Sequence, residues 1–103
     1  MLVSPQRIAV PRGAIDAFCR KWGVGELALF GSVLREDFSP QSDVDVLVAF
    51  EPGVRRSLFD LVEMRDELAE LFGREVDLVS QAGLRNPFRR HEILTTRKVL
   101  YAA

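Results

Sequence analysis

GSVLREDFSPQSDVDVLV, residues 31–48, decides how this chain is read. Its second half has the composition of a buried strand, with Val44, Val46, Leu47 and Val48 in close succession. Side chains alternate faces along a strand. Asp43, Asp45, Leu47 and Ala49 therefore share one face, and Val44, Val46, Val48 and Phe50 the other. Asp43 alone is ordinary turn chemistry ahead of a strand. Asp45 is not, because Asp is disfavoured in strands and burying an unpaired carboxylate costs several kcal/mol. Two carboxylates on one face repel unless a cation lies between them or one takes a proton.

A third carboxylate has the same setting. In Glu75-Val76-Asp77-Leu78-Val79, Val76 and Leu78 point one way and Asp77 and Val79 the other. If this strand neighbours the first, Asp77 joins Asp43 and Asp45. Three carboxylates converging at the head of a sheet make a hard, oxygen-rich site suited to Mg²⁺ or Mn²⁺. Such a cluster can hold two ions, typically about 3.5–4 Å apart in two-metal enzymes. With one His and one Cys in the chain, a structural zinc site is nearly excluded. Gly31-Ser32 is the complementary half: a Gly between a strand and a helical turn lets a phosphate approach the backbone, and the Ser hydroxyl adds a donor. A polyphosphate there could bridge to metals held by the carboxylates, and the reaction would then need positioning and charge neutralisation above all.

Outside this stretch the chain reads as α+β. Pro11 opens a helix at its first turn, Ile15, Phe18, Cys19 and Trp22 follow at helical spacing, and Gly23 stops it. Residues 27–30 form a short strand ended by Gly31, and residues 38–42 are turn material. Residues 44–50 form the clearest strand, closed by Glu51-Pro52-Gly53. Ser57 caps a helix whose buried face is Leu58, Leu61, Val62, Leu68, Leu71 and Phe72, while Asp60, Glu63, Asp66, Glu67 and Glu70 form a solvated face. Residues 76–80 make a third strand. Asn86-Pro87 opens a last helix that buries Ile93, Leu94, Leu100 and Tyr101. The order is helix, strand, short helix, strand, helix, strand, helix, which suggests one small sheet with helices packed against it.

The bulk numbers set limits. The chain has 103 residues, 48% of them apolar, which suits a single domain over residues 1–103. A net charge of −1 gives no general affinity for polyanions, and no direct nucleic-acid binding is expected. One cysteine makes no internal disulfide and fits a reducing, cytoplasmic setting. No signal peptide and no membrane-spanning apolar run of about 20 residues is visible. The Arg excess, 12 against 2 Lys, says nothing about function.

Gly31-Ser32, ten residues, then Asp43-Val44-Asp45 resembles the signature of the DNA polymerase β-like nucleotidyltransferases, and the short chain resembles their minimal (MNT) branch. Arg35 after the Gly-Ser and Ser42 before the first Asp match that branch's wording. The resemblance implies an α+β fold with a mixed sheet and nucleotidyl transfer from ATP or another NTP with two Mg²⁺ ions. It implies that Asp43 and Asp45 hold both metals, that Asp77 holds the catalytic one and helps activate the acceptor hydroxyl, and that Gly31 and Ser32 cradle the triphosphate. Arg35 and Ser42 would join the nucleotide site, although Arg35 also reads as a helix-surface partner of Glu36. Proteins of this branch often serve as antitoxins to HEPN-domain ribonuclease toxins and transfer AMP to a toxin tyrosine, so a HEPN partner is implied by the resemblance alone.

With no segment after the final helix to bind an acceptor, that surface is expected from another chain. A homo- or hetero-oligomer is compatible with the sequence. Two other readings stay open: a non-catalytic module that occludes its partner, and a transferase acting on a small molecule such as an antibiotic. Of the remaining residues, Arg85, Arg89, Arg90, Arg97 and Lys98 read as a solvated helix face or as a docking face for an acidic partner or for phosphates. His91 reads as a surface residue, Phe18 and Trp22 as core, and Cys19 as an inert core thiol.

Overall fold

The computed structural model describes residues 10–34 and 42–103. The chain order is α1 (Arg12–Trp22), β1 (Val24–Phe30), a single 3-10 turn (Gly31–Leu34), β2 (Val44–Phe50), α2 (Leu58–Phe72), β3 (Val76–Ser80), a second 3-10 turn (Gln81–Gly83), α3 (Pro87–Thr96) and β4 (Lys98–Ala102). The strands form one mixed sheet in the order β3-β2-β1-β4. β1 runs antiparallel to both β2 and β4, whereas β2 and β3 are parallel. A parallel pair needs a long crossover, and α2 supplies it.

The two faces of the sheet are covered unequally. Val24, Leu27 and Leu29 of β1, Val44, Val46 and Val48 of β2 and Val76 of β3 form the larger core with Ile15, Phe18, Cys19 and Trp22 of α1 and Met64, Leu68 and Phe72 of α2. On the opposite face Ala28, Phe30 and Leu47 meet Leu84 and Ile93 in a smaller cluster under α3. Alternation along β2 thus gives three fully buried valines to one side and Asp45 and Leu47 to the other.

The ends of the helices follow from their residues. Ser57 caps α2: its side chain accepts from the Asp60 N–H at 3.1 Å while the Asp60 carboxylate accepts from the Ser57 N–H at 3.1 Å, a reciprocal box. Asn86 caps α3 by accepting from the N–H groups of Phe88 and Arg89. Trp22, where α1 ends, ties two elements together. Its indole N–H donates to Glu67 of α2 at 3.2 Å, and the Arg56 guanidinium lies 5.0 Å from the ring centroid.

Four expectations from the sequence need correction. Pro11 stands just before α1 rather than in its first turn, and its carbonyl accepts from the Ile15 N–H. β1 begins at Val24, three residues earlier than the apolar run indicates. On α2, Leu58 and Val62 are 79% and 47% exposed, and Met64 is the buried residue instead; the stripe that meets the sheet begins at Leu61. Last, Leu100 and Tyr101 belong to a strand, not to the final helix. α3 ends at Thr96, and β4 pairs with β1 through Leu27↔Tyr101 and Ala28↔Val99. Within residues 38–42, the predicted turn, only Ser42 belongs to the described structure. Among the described residues no helix is long and apolar enough to cross a membrane.

Candidate active site

The topology brings the candidate residues to one end of the sheet. β1 is antiparallel to β2, so its last residue, Phe30, pairs with Asp45 near the start of β2. β3 is parallel to β2, so its start lies at the same end, and Asp45 pairs with Asp77 in register. The following rungs, Leu47 with Ala28 and with Val79, place this face on the α3 side of the sheet. The two carboxylates therefore stand side by side on the α3 face. Asp77 is exposed and Asp45 half-buried.

Gly31 completes this corner. It leaves β1 with φ +74°, and a Cβ built on it would lie 2.3 Å from Asp45 Oδ2. A side chain is excluded twice, by the left-handed backbone and by the carboxylate packed over the Cα. The Asp45 carboxylate thus lies directly against the Gly31 backbone. Ser32 follows in the 3-10 turn, half-buried.

Asp43 immediately precedes β2 and is exposed. Its position is held by both neighbours. The Val44 N–H donates to the Glu75 carbonyl at 2.9 Å, and Arg74 Nη2 donates to the Ser42 carbonyl at 2.7 Å. Arg74 is a positioning residue that the sequence reading passed over. The available signal was an Arg at the root of the strand that carries Asp77. Ser42 thus enters the site through its main chain, half-buried. Arg35 lies outside the described residues.

The donor set is all carboxylate oxygen, the chemistry that Mg²⁺ or Mn²⁺ selects. The Asp45–Asp77 rung has the donor chemistry to fit a divalent ion. The structure pairs two of the three carboxylates. No group of three or more Asp, Glu, His or Cys side chains is gathered for a metal ion among the described residues. A cavity of about 590 Å³ opens from Gly31 along α3.

A family model, the nucleotidyltransferase domain, matches residues 12–100. The chain belongs to the nucleotidyltransferase family. The protein adenylyltransferase MntA of Thermococcus cleftensis is 36% identical over 81 residues, 79% of this chain and 77% of that protein. A solved structure provisionally named a minimal nucleotidyltransferase superposes with a TM-score of 0.68 at 38% identity, covering 84% of this chain and 85% of that one. An MNT antitoxin in complex with a tri-AMPylated Shewanella oneidensis HEPN toxin shares the fold, with a TM-score of 0.64 at 21% identity over 89% of this chain and 70% of that one. The expected α+β nucleotidyltransferase fold of the minimal type is therefore present, and the chain is an enzyme of this family.

Proposed function

We propose that this nucleotidyltransferase moves AMP from ATP to a hydroxyl of a HEPN-type toxin and so silences it. The reading rests on one observation: Asp45 and Asp77 are registered on neighbouring parallel strands with Gly31 against the Asp45 carboxylate. The name of the Thermococcus cleftensis relative and the AMPylated toxin complex support the substrate and the partner.

Asp43, Asp45 and Asp77 would hold Mg²⁺, and Gly31, Ser32, Arg35 and Ser42 would take the triphosphate. Bound Mg²⁺ would neutralise phosphate charge and make the acceptor hydroxyl more acidic. Asp77, the more exposed of the registered pair, accepts the proton as the acceptor oxygen bonds to the α-phosphorus. The bond from that phosphorus to the bridging oxygen breaks, and pyrophosphate leaves. Exposure of Asp77 and Asp43 leaves the corner open to a second protein, which has to bring its hydroxyl to the phosphate.

The test uses ATP labelled at the α-phosphate, Mg²⁺, this protein and its HEPN-type partner. Label on the partner is expected, and none when Asp45→Asn replaces the native chain. Label that stays in ATP with the native chain overturns the reading. One observation favours a second reading, a non-catalytic binder that occludes its partner: the described carboxylates do not form a group of three. Under that reading Asp43→Asn/Asp45→Asn still neutralises the toxin without label transfer.

A further inference from the structure

The cavity beside Gly31 has its own chemistry. One wall is Phe30 and Gly31 at the end of β1, and the other is a single face of α3 carrying Arg89, Glu92, Ile93 and Thr96. These four recur at the three- and four-residue spacing that puts side chains on one helix face. The volume, about 590 Å³, lies in the range of small-molecule sites, which combine apolar walls with a few polar groups. Phe30 and Ile93 form the apolar floor, each 4–5% exposed. Arg89 and Glu92 are exposed, and among the described residues no hydrogen bond or ion pair engages either side chain. The Thr96 hydroxyl is turned back onto the Glu92 carbonyl at 2.7 Å.

We propose that this α3 cavity takes the nucleoside half of the nucleotide. The assignment rests on the proposed function, which puts the phosphates at Gly31-Ser32. Base and ribose are then covalently tethered next to Gly31, and the cavity that shares Gly31 is where they fit. Glu92, an acceptor only, meets N–H or O–H donors of the base or sugar. Arg89, a cation on the same wall, offsets part of the nucleotide's negative charge. α3 therefore selects the nucleotide while the strands hold the reacting groups. An apolar acceptor segment of the partner is the competing occupant. It lacks the tether, and Glu92 and Arg89 would be idle against it.

Equilibrium binding of Mg-ATP and of Mg-tripolyphosphate to the full chain separates the two halves of the ligand. In the native chain ATP binds more tightly than tripolyphosphate, the difference being the nucleoside's contribution. Thr96→Trp, at an exposed position, fills the cavity and is expected to weaken ATP at least tenfold while tripolyphosphate binds as before. Glu92→Ala is expected to lower the ATP preference several-fold in the same way. An unchanged preference in both variants overturns the assignment and leaves the phosphate site standing. So does unchanged ATP binding with lost transfer to the partner, which assigns the cavity to the acceptor. Failure of the native chain to bind either ligand overturns the proposed function and this inference together.

Discussion

Gly31 and Asp45 behave as one unit. The glycine's Cα is the floor against which the carboxylate rests, so Gly31→Ala should act on both. A non-glycine residue in the left-handed region costs about 1–2 kcal/mol, and the added methyl also displaces the Asp45 oxygen. Urea denaturation should show a loss of at least that size, and label transfer should fall by more than the small unfolded fraction accounts for. Cys19 offers a contrast. It is completely buried, and desolvation pushes its thiol up from the ordinary 9.0 to about 12, with Asp16 adding to the effect. The native thiol should ignore alkylating reagents at neutral pH. Its folded pKa is raised, so its contribution is intact below pH 9. Stability should decline between pH 9 and 12, where the unfolded chain releases a proton that the folded chain keeps; Cys19→Ala should flatten that decline in thermal melts. Asp45 was legible at this scale because a carboxylate among Val44, Val46 and Val48 is a local anomaly. The Gly31–Asp45 contact was not, since fourteen positions of sequence separate the two.

At the scale of elements, Ser42 at the foot of β2 is held by the end of α2. Arg74, one residue past the helix's closing Gly73, reaches the Ser42 carbonyl. Arg74→Ala should leave the fold intact and reduce label transfer severalfold, because the main chain bearing Asp43 loses its tether; circular dichroism and transfer assays read the two effects separately. Ser57→Ala removes the capping box of α2 and should lower stability by about 1 kcal/mol, seen as a shift in urea midpoint, with transfer unaffected. α2 and β2 were readable from the sequence because their signals are local: a cap, a stop and a period. β4 was not. Val99-Leu100-Tyr101 follows α3 with no Gly or Pro between them, and the run becomes a strand only by pairing with β1, more than seventy residues away. Arg97 helps that junction, donating to Glu26 of β1 at 2.5 Å and to the Leu94 carbonyl of α3. The Glu26 hydrogen bond raises the Arg97 pKa further.

For the whole molecule, the order β3-β2-β1-β4 is what makes a site. Any other neighbour for β2 would leave Asp77 apart from Asp45, whatever the motif said. The sequence showed which carboxylates to watch, and the strand order, set by non-local pairing, decides which of them meet. The division of labour between faces follows from the same order. α1 and α2 cover the large core, and Asp43 and Asp77 stand exposed at the end of the face that α3 covers in part. Exposed carboxylates there suit the proposed transfer to another protein. The decisive measurement is a stoichiometry: ribonuclease activity of the proposed HEPN-type partner, titrated with this chain in Mg-ATP. Silencing of many partner copies by each native copy, with AMP on the partner and none of either with Asp43→Asn/Asp45→Asn, is the expected result. One-to-one silencing by both forms, independent of ATP, would contradict it.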